Sequence, residues 1–294
     1  MIRQATLFDL APTHQVKPFK QGLLKWIGNK QRVAHHIIEM FPESYGVYYE
    51  PFLGSAAVLG TLQPEHGIGS DSFAPLMEIW TLLSENPSLL KIWYAERWHQ
   101  MMAGEKVEEY ERIKASYNAS PNGADFLFLC RSCYGGVVRF RKIDGYMSTP
   151  CGTHSPIPPE SFDKRVDEWH SRTKGVKFIR SEYENVMLMA NEGDLIYCDP
   201  PYSFSQSILY GAQDFSLEHL FEVIGECKNR GVKVAVSIDG NKRSGSLICD
   251  VPMPQGLFET EILVSVGRSM LKRFQMQGLS LEDEVVSDRL LLTY

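Results

Sequence analysis

Short apolar runs that alternate with amphipathic stretches restrict the fold of this chain more than any other feature it carries. "YGVYYEPF", "GIGSD", "DLIYCD", "VKVAVSID", "FETEILVSV" and "DRLLLTY" each read as a strand from their length, flanks and apolar content. Between the third and fourth lies "SLEHLFEVIGECKNRG", where Leu217, Leu220, Phe221 and Ile224 recur at i, i+3, i+4 and i+7. Ser216 is an N-cap candidate and Gly231 a stop, so the spacing predicts a helix. Near the start, Val33, Ile37 and Phe41 mark another helix face, which Pro42 ends. Strands alternating with helices imply an α/β fold with a mostly parallel sheet covered on both faces.

From about Asn86 to Gly175 the alternation gives way to helices, "VEEYERIKASY" and "ADFLFLCRSCY", and then to the basic, loop-rich "GGVVRFRKIDGYMSTPCGTHSPIPP". The expected organisation is a sheet domain formed by residues 21–85 and 176–294, interrupted by an inserted region at 86–175. Residues 1–20 lack apolar periodicity and hold Pro12 and Pro18, so they are expected to form a flexible arm.

Three of the strands end in an acid: Glu50, Asp71 and Asp199. Ligands of an open α/β sheet bind beyond the carboxyl ends of its strands, so the three acids predict one polar crevice. After Asp199 come Pro200, Pro201 and Tyr202. The prolines lock φ and remove two backbone donors, which leaves acceptors facing the crevice, and Tyr202 adds a flat ring. Such a corner suits a planar group carrying an NH2. Two acceptors aimed at its hydrogens localise the nitrogen lone pair, most strongly as positive charge builds on nitrogen.

Charge qualifies the partner. A net charge of −6 argues against a nucleic acid until its distribution is considered. Arg131, Arg139, Arg141 and Lys142 form one acid-free stretch, and Arg172, Lys174, Lys177 and Arg180 form a second. A basic middle on an acidic body is the expectation. Six cysteines in 294 residues do not make a disulfide framework, and the C-x-x-C of Cys130 and Cys133 lacks a second pair. No metal is expected, and no apolar run is long enough to span a bilayer.

"KWIGNK" at 25–30, "YYEPFLGSAAV" at 48–58 and "DPPY" at 199–202, in that order along the chain, together resemble the Dam-like DNA adenine N6-methyltransferases, which use S-adenosylmethionine. The resemblance covers nearly everything from residue 22 to 294. It implies a Rossmann-like methyltransferase sheet with an inserted, mainly helical DNA-recognition region. It also implies catalytic Asp199, Pro200, Pro201 and Tyr202. Trp26, Lys30, Glu50, Phe52, Gly54, Asp71 and Asp199 would bind the cofactor, with Asp71 accepting from the ribose hydroxyls. Asn29 and Ala56 depart from the family pattern, standing where glycines are usual.

"FLFLCRSCYGGVVRFRKIDGYMSTPCG" is similar to the family's DNA-binding helix end and hairpin, with Arg131, Tyr134, Arg139 and Arg141 as the implied contacts. Cys130 and Gly135 replace two usual asparagines, and Arg141 stands where another is common, so the resemblance leaves the recognition sequence open. An adenine in a duplex must rotate out of the stack to reach Asp199, which requires a grip on double-stranded DNA on both sides. The same chemistry leaves open a catalytically silent DNA-binding regulator and transfer to cytosine N4 or RNA adenine. Residues 4–10, "QATLFDL", resemble peptides that dock on replication sliding clamps. A cognate restriction enzyme is a further expected partner, and the expected location is the bacterial or phage-infected cytoplasm, on the nucleoid.

Overall fold

The structure is a computed structural model and describes residues 2–6, 12–201, 215–242, 253–267 and 286–294. The strands are β1 (Arg3–Thr6), β2 (Tyr48–Glu50), β3 (Gly67–Asp71), β4 (Val176–Arg180), β5 (Leu195–Cys198), β6 (Lys233–Lys242), β7 (Thr260–Gly267) and β8 (Val286–Leu292). They form one sheet in the order β1-β7-β8-β6-β5-β2-β3-β4. Every neighbouring pair is parallel except the two made by β8, which lies antiparallel between β6 and β7. From β2 the chain builds outward through β3 to β4, then returns to place β5 on the other side of β2 and builds outward through β6. The sheet is Rossmann-like, and β2 and β5 flank its switch point.

The central strands are buried on both faces, so they read as continuous apolar runs rather than as alternation. Their side chains still alternate by layer. Tyr48, Leu195 and Tyr197 enter one core; Tyr49, Ile196 and Cys198 enter the other. The second core is covered by α8 (Tyr183–Met187) and α9 (Leu217–Asn229). Helix α9 starts where the sequence predicts, with Ser216 Oγ accepting from the His219 amide at 3.2 Å. The first core is covered by α1 (Ala34–Ile38), α2 (Ala57–Leu62), α3 (Ala74–Glu85), α4 (Pro87–Ala103), α5 (Lys106–Ala119), α6 (Gly123–Ser132) and α7 (Pro159–Arg172). Asn86 separates α3 from α4, and its side chain accepts from the Leu89 amide at 3.1 Å.

The helical region between β3 and β4 has no core of its own. Phe126, Phe128, Phe162 and Trp169 belong to the cluster that holds Tyr48 and Leu195. Trp169 is its keystone. The ring lies 5.2 Å from Trp80 and 5.3 Å from Phe19, and its Nε1 donates to the Gln21 carbonyl at 2.7 Å.

Two segments differ from expectation. Residues 3–6, expected in a flexible arm, pair with β7 as an edge strand, and Phe19 is buried. An edge strand gains its stability from backbone hydrogen bonds, so it needs no apolar period. Residues 176–180, read as part of a basic stretch, form β4: Val176 and Phe178 are buried while Lys177 between them is exposed. The positive charges masked a two-residue alternation. Among the described residues no helix is long and apolar enough to cross a membrane.

A Cβ added at Gly60 would lie 2.4 Å from the Trp169 ring. Gly60→Ala should therefore cost about 1–3 kcal/mol of stability despite the better helix propensity of alanine. Chemical denaturation would measure the loss; an unchanged midpoint would contradict this packing.

Candidate active site

Because β2, β3 and β5 are parallel and adjacent, Glu50, Asp71 and Asp199 arrive at one rim of the sheet. All three line a single cavity of 690 Å³. Trp26, Lys30, Phe52, Gly54 and Pro201 line it as well, so the expected cofactor and catalytic positions converge. Pro200 is buried beside them. Tyr202 lies outside the described residues.

Lys30 is 4% exposed and anchors the crevice floor. Its Nζ lies 2.8 Å from Asp199 Oδ1 and 3.4 Å from Asp288 Oδ2, and it donates to the Gly28 carbonyl at 3.2 Å. Burial alone would lower the lysine pKa, but the two carboxylates outweigh it and hold the ammonium above its ordinary value. The loop that delivers Lys30 turns at Gly28, whose φ is +73°. Asn29 substitutes for a glycine here without loss of the turn. Its amide donates to the Trp26 carbonyl at 2.7 Å, and its oxygen accepts from the Gln31 amide at 3.2 Å.

Glu50 is 3% exposed and accepts from the Tyr48 hydroxyl at 2.6 Å. Burial pushes its pKa up to about 8; the Tyr48 hydrogen bond opposes this and the nearby Asp199 charge adds to it. Asp71 holds the loop after β2: its two oxygens accept from the Gly54 and Phe73 amides, each at 3.1 Å. Burial raises its pKa too, with those backbone donors pulling the other way. A carboxylate oxygen has a second lone pair, so Asp71 can still accept from a ligand hydroxyl. Gly54 has two reasons to be glycine. Its φ is +45°, and a Cβ would come 2.9 Å from Trp26 Nε1. Ala56, the other departure from the family pattern, adopts φ +53°, a left-handed conformation that costs an alanine about 1–2 kcal/mol.

Phe52 stacks on Tyr183 at 5.0 Å and meets Phe215 edge-on at 5.8 Å, forming an aromatic wall at the cavity rim. Phe140 and Gly145 of the inserted region line the same cavity. They belong to a hairpin closed by the Phe140–Met147 bridge and by bonds from the Arg141 amide to the Tyr146 carbonyl and from the Ser148 amide to the Arg139 carbonyl, both 2.9 Å.

The four expected DNA contacts separate here. Arg139 and Arg141 are exposed on the hairpin, Arg141 paired with Asp144 and stacked 4.3 Å from the Tyr146 ring. Tyr134 is 43% exposed in the turn that precedes the hairpin. Arg131, by contrast, turns inward. It is 6% exposed and its guanidinium donates to the Leu23 carbonyl at 2.6 Å and the Gly22 carbonyl at 3.4 Å. It clamps the loop before Trp26 onto α6 and presents nothing to the surface.

Tyr183, Tyr48 and Asp288 were not anticipated as site residues. Tyr183 follows the unread strand β4, so the rule that ligands meet strand ends would have found it had β4 been recognised. Asp288 had no local signal, because β8 approaches the site from the far end of the sequence. Among the described residues there is no cluster of three or more His, Cys, Asp or Glu side chains fit to hold a metal.

Residues 26–265 match the family model described as D12 class N6 adenine-specific DNA methyltransferase. A DNA N-6-adenine-methyltransferase of Escherichia phage P1 is 28% identical over 243 residues, 77% of this chain but only 31% of the phage protein. A type II methyltransferase of Lactococcus lactis subsp. cremoris is 25% identical over 237 residues, 72% of this chain and 79% of the relative. A DNA adenine methylase of Vibrio cholerae is 26% identical over 231 residues, 74% and 81% of the two chains.

Glu50 generates a test of the site's electrostatics. Its folded pKa of about 8 lies above its ordinary 4.5, so the folded state retains a proton that the unfolded chain releases. Stability from this group is therefore full below about pH 4.5 and declines as pH rises through 8. Glu50→Gln should change little at pH 4 and stabilise the protein by roughly 1–3 kcal/mol at pH 8. Thermal unfolding of both chains across that range would reveal the converging curves; parallel curves would count against the buried carboxyl.

Proposed function

The chain belongs to the D12 class N6 adenine-specific DNA methyltransferase family, and on that premise we propose that it transfers a methyl group from S-adenosylmethionine to the N6 of an adenine rotated out of duplex DNA. The observation that carries this reading is the crevice itself: Asp199 and Pro201, just past the end of β5, border the cavity that Trp26, Glu50, Phe52 and Asp71 line.

The residues fit the cofactor chemically. Asp71 retains acceptor capacity for ribose hydroxyls, and Trp26 and Phe52 give flat apolar surfaces. Glu50, held near pKa 8, would be drawn to ionise by a nearby cation. When bound, the cofactor supplies an electrophilic methyl on sulfonium sulfur. The protein's task is to make the amine reactive. Asp199 and the carbonyl side of Pro200 accept from the N6 hydrogens, which localises the lone pair that forms the new N–C bond. As that bond forms and the S–C bond breaks, positive charge develops on nitrogen beside a fixed negative corner. One N6 proton then leaves to solvent. Tyr202 is assigned to stack on the extruded base.

Extruding the base costs a few kcal/mol, which contacts with the flanking DNA must offset. Arg139, Arg141 and Tyr134 are assigned to that grip, because all three are exposed, the arginines on the hairpin whose Phe140 and Gly145 line the crevice and Tyr134 in the turn before it. On this reading residues 86–175 form the recognition region and 21–85 with 176–294 the catalytic domain. With DNA as substrate, the working location is the cytoplasm of a bacterium or infected cell. Docking of residues 4–10 on a clamp gains no support from the fold, since Arg3–Thr6 already pair with β7 and Leu7–Leu10 lie outside the described residues. A cognate restriction enzyme gains none either.

Incubation with methyl-labelled cofactor and mixed duplex DNA, followed by digestion to nucleosides, should place the label in N6-methyladenine. Label in N4-methylcytosine, label in RNA alone, or no label would reject the reading. Asp199→Ala should lower kcat by about 100-fold or more while duplex affinity stays within about threefold. Arg139→Ala should weaken duplex binding and reduce the salt slope by about 1, whereas Arg131→Ala should instead cost about 1–3 kcal/mol of stability. Equal binding defects in the two arginine variants would undo the assignment.

A further inference from the structure

Asp288 reaches Lys30, which lines the crevice, from β8, the antiparallel strand, and is not one of the three strand-end acids. It is 8% exposed, opposite Asp239 in the ladder to β6 and opposite Val264 in the ladder to β7. Its Oδ2 reaches Lys30 Nζ at 3.4 Å, while Asp199 Oδ1 reaches the same nitrogen at 2.8 Å and the Gly28 carbonyl lies 3.2 Å away. At least three acceptors thus surround the three protons of one buried ammonium, and they come from three separate segments of the chain.

The arithmetic of charge gives this arrangement a consequence. Lys30 with Asp199 alone is a neutral pair, and a carboxylate whose charge is cancelled is a poor acceptor for a nitrogen turning cationic. Adding Asp288 leaves the trio with a net charge of one negative unit in a site where charges are weakly screened. We propose that Asp288 is a positioning residue for methyl transfer: by sharing Lys30 it holds the ammonium to one side of Asp199 and keeps the acceptor corner net negative as N6 becomes positive. The inference rests on the assignment of Asp199 made above. Asp288 acts through Lys30 and need not touch base or cofactor.

Asp288→Asn keeps the side chain's size and an oxygen for Lys30 but removes the charge. It should lower kcat roughly tenfold or more, with KM for S-adenosylmethionine and for duplex DNA each within about threefold of wild type. Asp288→Glu, which restores the charge, should turn over faster than Asp288→Asn. Unfolding midpoints taken in parallel separate this from a structural defect. An Asp288→Asn protein with wild-type kcat, one whose rate falls only in step with its folded fraction, or one no slower than the glutamate variant would overturn the proposal. Asp199→Ala run alongside distinguishes the two levels. If it retains wild-type rate, the assignment of Asp199 and this inference fall together; if it is inactive while Asp288→Asn is normal, only the role of Asp288 is lost.

Discussion

Tyr48 pairs with Leu195 and Tyr49 with Ile196, and this short parallel ladder between β2 and β5 determines where every other functional group is placed. The two strands belong to opposite halves of the sheet, so their carboxyl ends leave an opening that neither half fills. Glu50 and Asp199 border that opening because each ends, or directly follows, one of the paired strands. β3 adds Asp71 from one side, and β8 adds Asp288 from the other through β6. Had β5 followed β4 at the sheet edge, the acids would sit along a line rather than around a cleft.

The site works against the stability of its own scaffold. Glu50 is kept partly protonated by burial, Asp71 is raised despite two backbone donors, and Ala56 occupies a conformation suited to glycine. Each is costly; hydrogen bonds from Tyr48, Gly54 and Phe73 relieve the two acids in part, and the surrounding core offsets the rest. The large rings beneath the crevice, Tyr48, Trp80, Tyr197 and Trp169, are fully buried and supply that core. Tyr48 serves both functions, packing in the core with its ring and donating to Glu50 with its hydroxyl.

The sequence was most legible where one segment sets its own environment. The strand-ending acids could be placed because a parallel strand delivers its last residue to a predictable edge, and the start of α9 because Ser216 caps it locally. It was least legible where distant segments decide. Arg131 lies in a basic stretch and reads as surface charge, yet α6 turns it inward onto the carbonyls of Gly22 and Leu23. β1 shows no apolar period because it depends on backbone pairing with β7. Asp288 looks like any polar residue in a terminal strand until β8 inserts between β6 and β7 and aims it at Lys30.

If 86–175 is the recognition region proposed above, the seat of Trp169 against Gly60 bears on how target preference can change in such a protein. A recognition region built as a separate lobe could be exchanged whole, like a tool head on a shaft. Here its helices complete the interior that also supports the sheet, so grafting 86–175 from a relative would leave mismatched cavities and collisions beneath the crevice. On the proposed reading, divergence in what is read would run through the outward residues of the hairpin, where side chains can vary while the interior stays fixed.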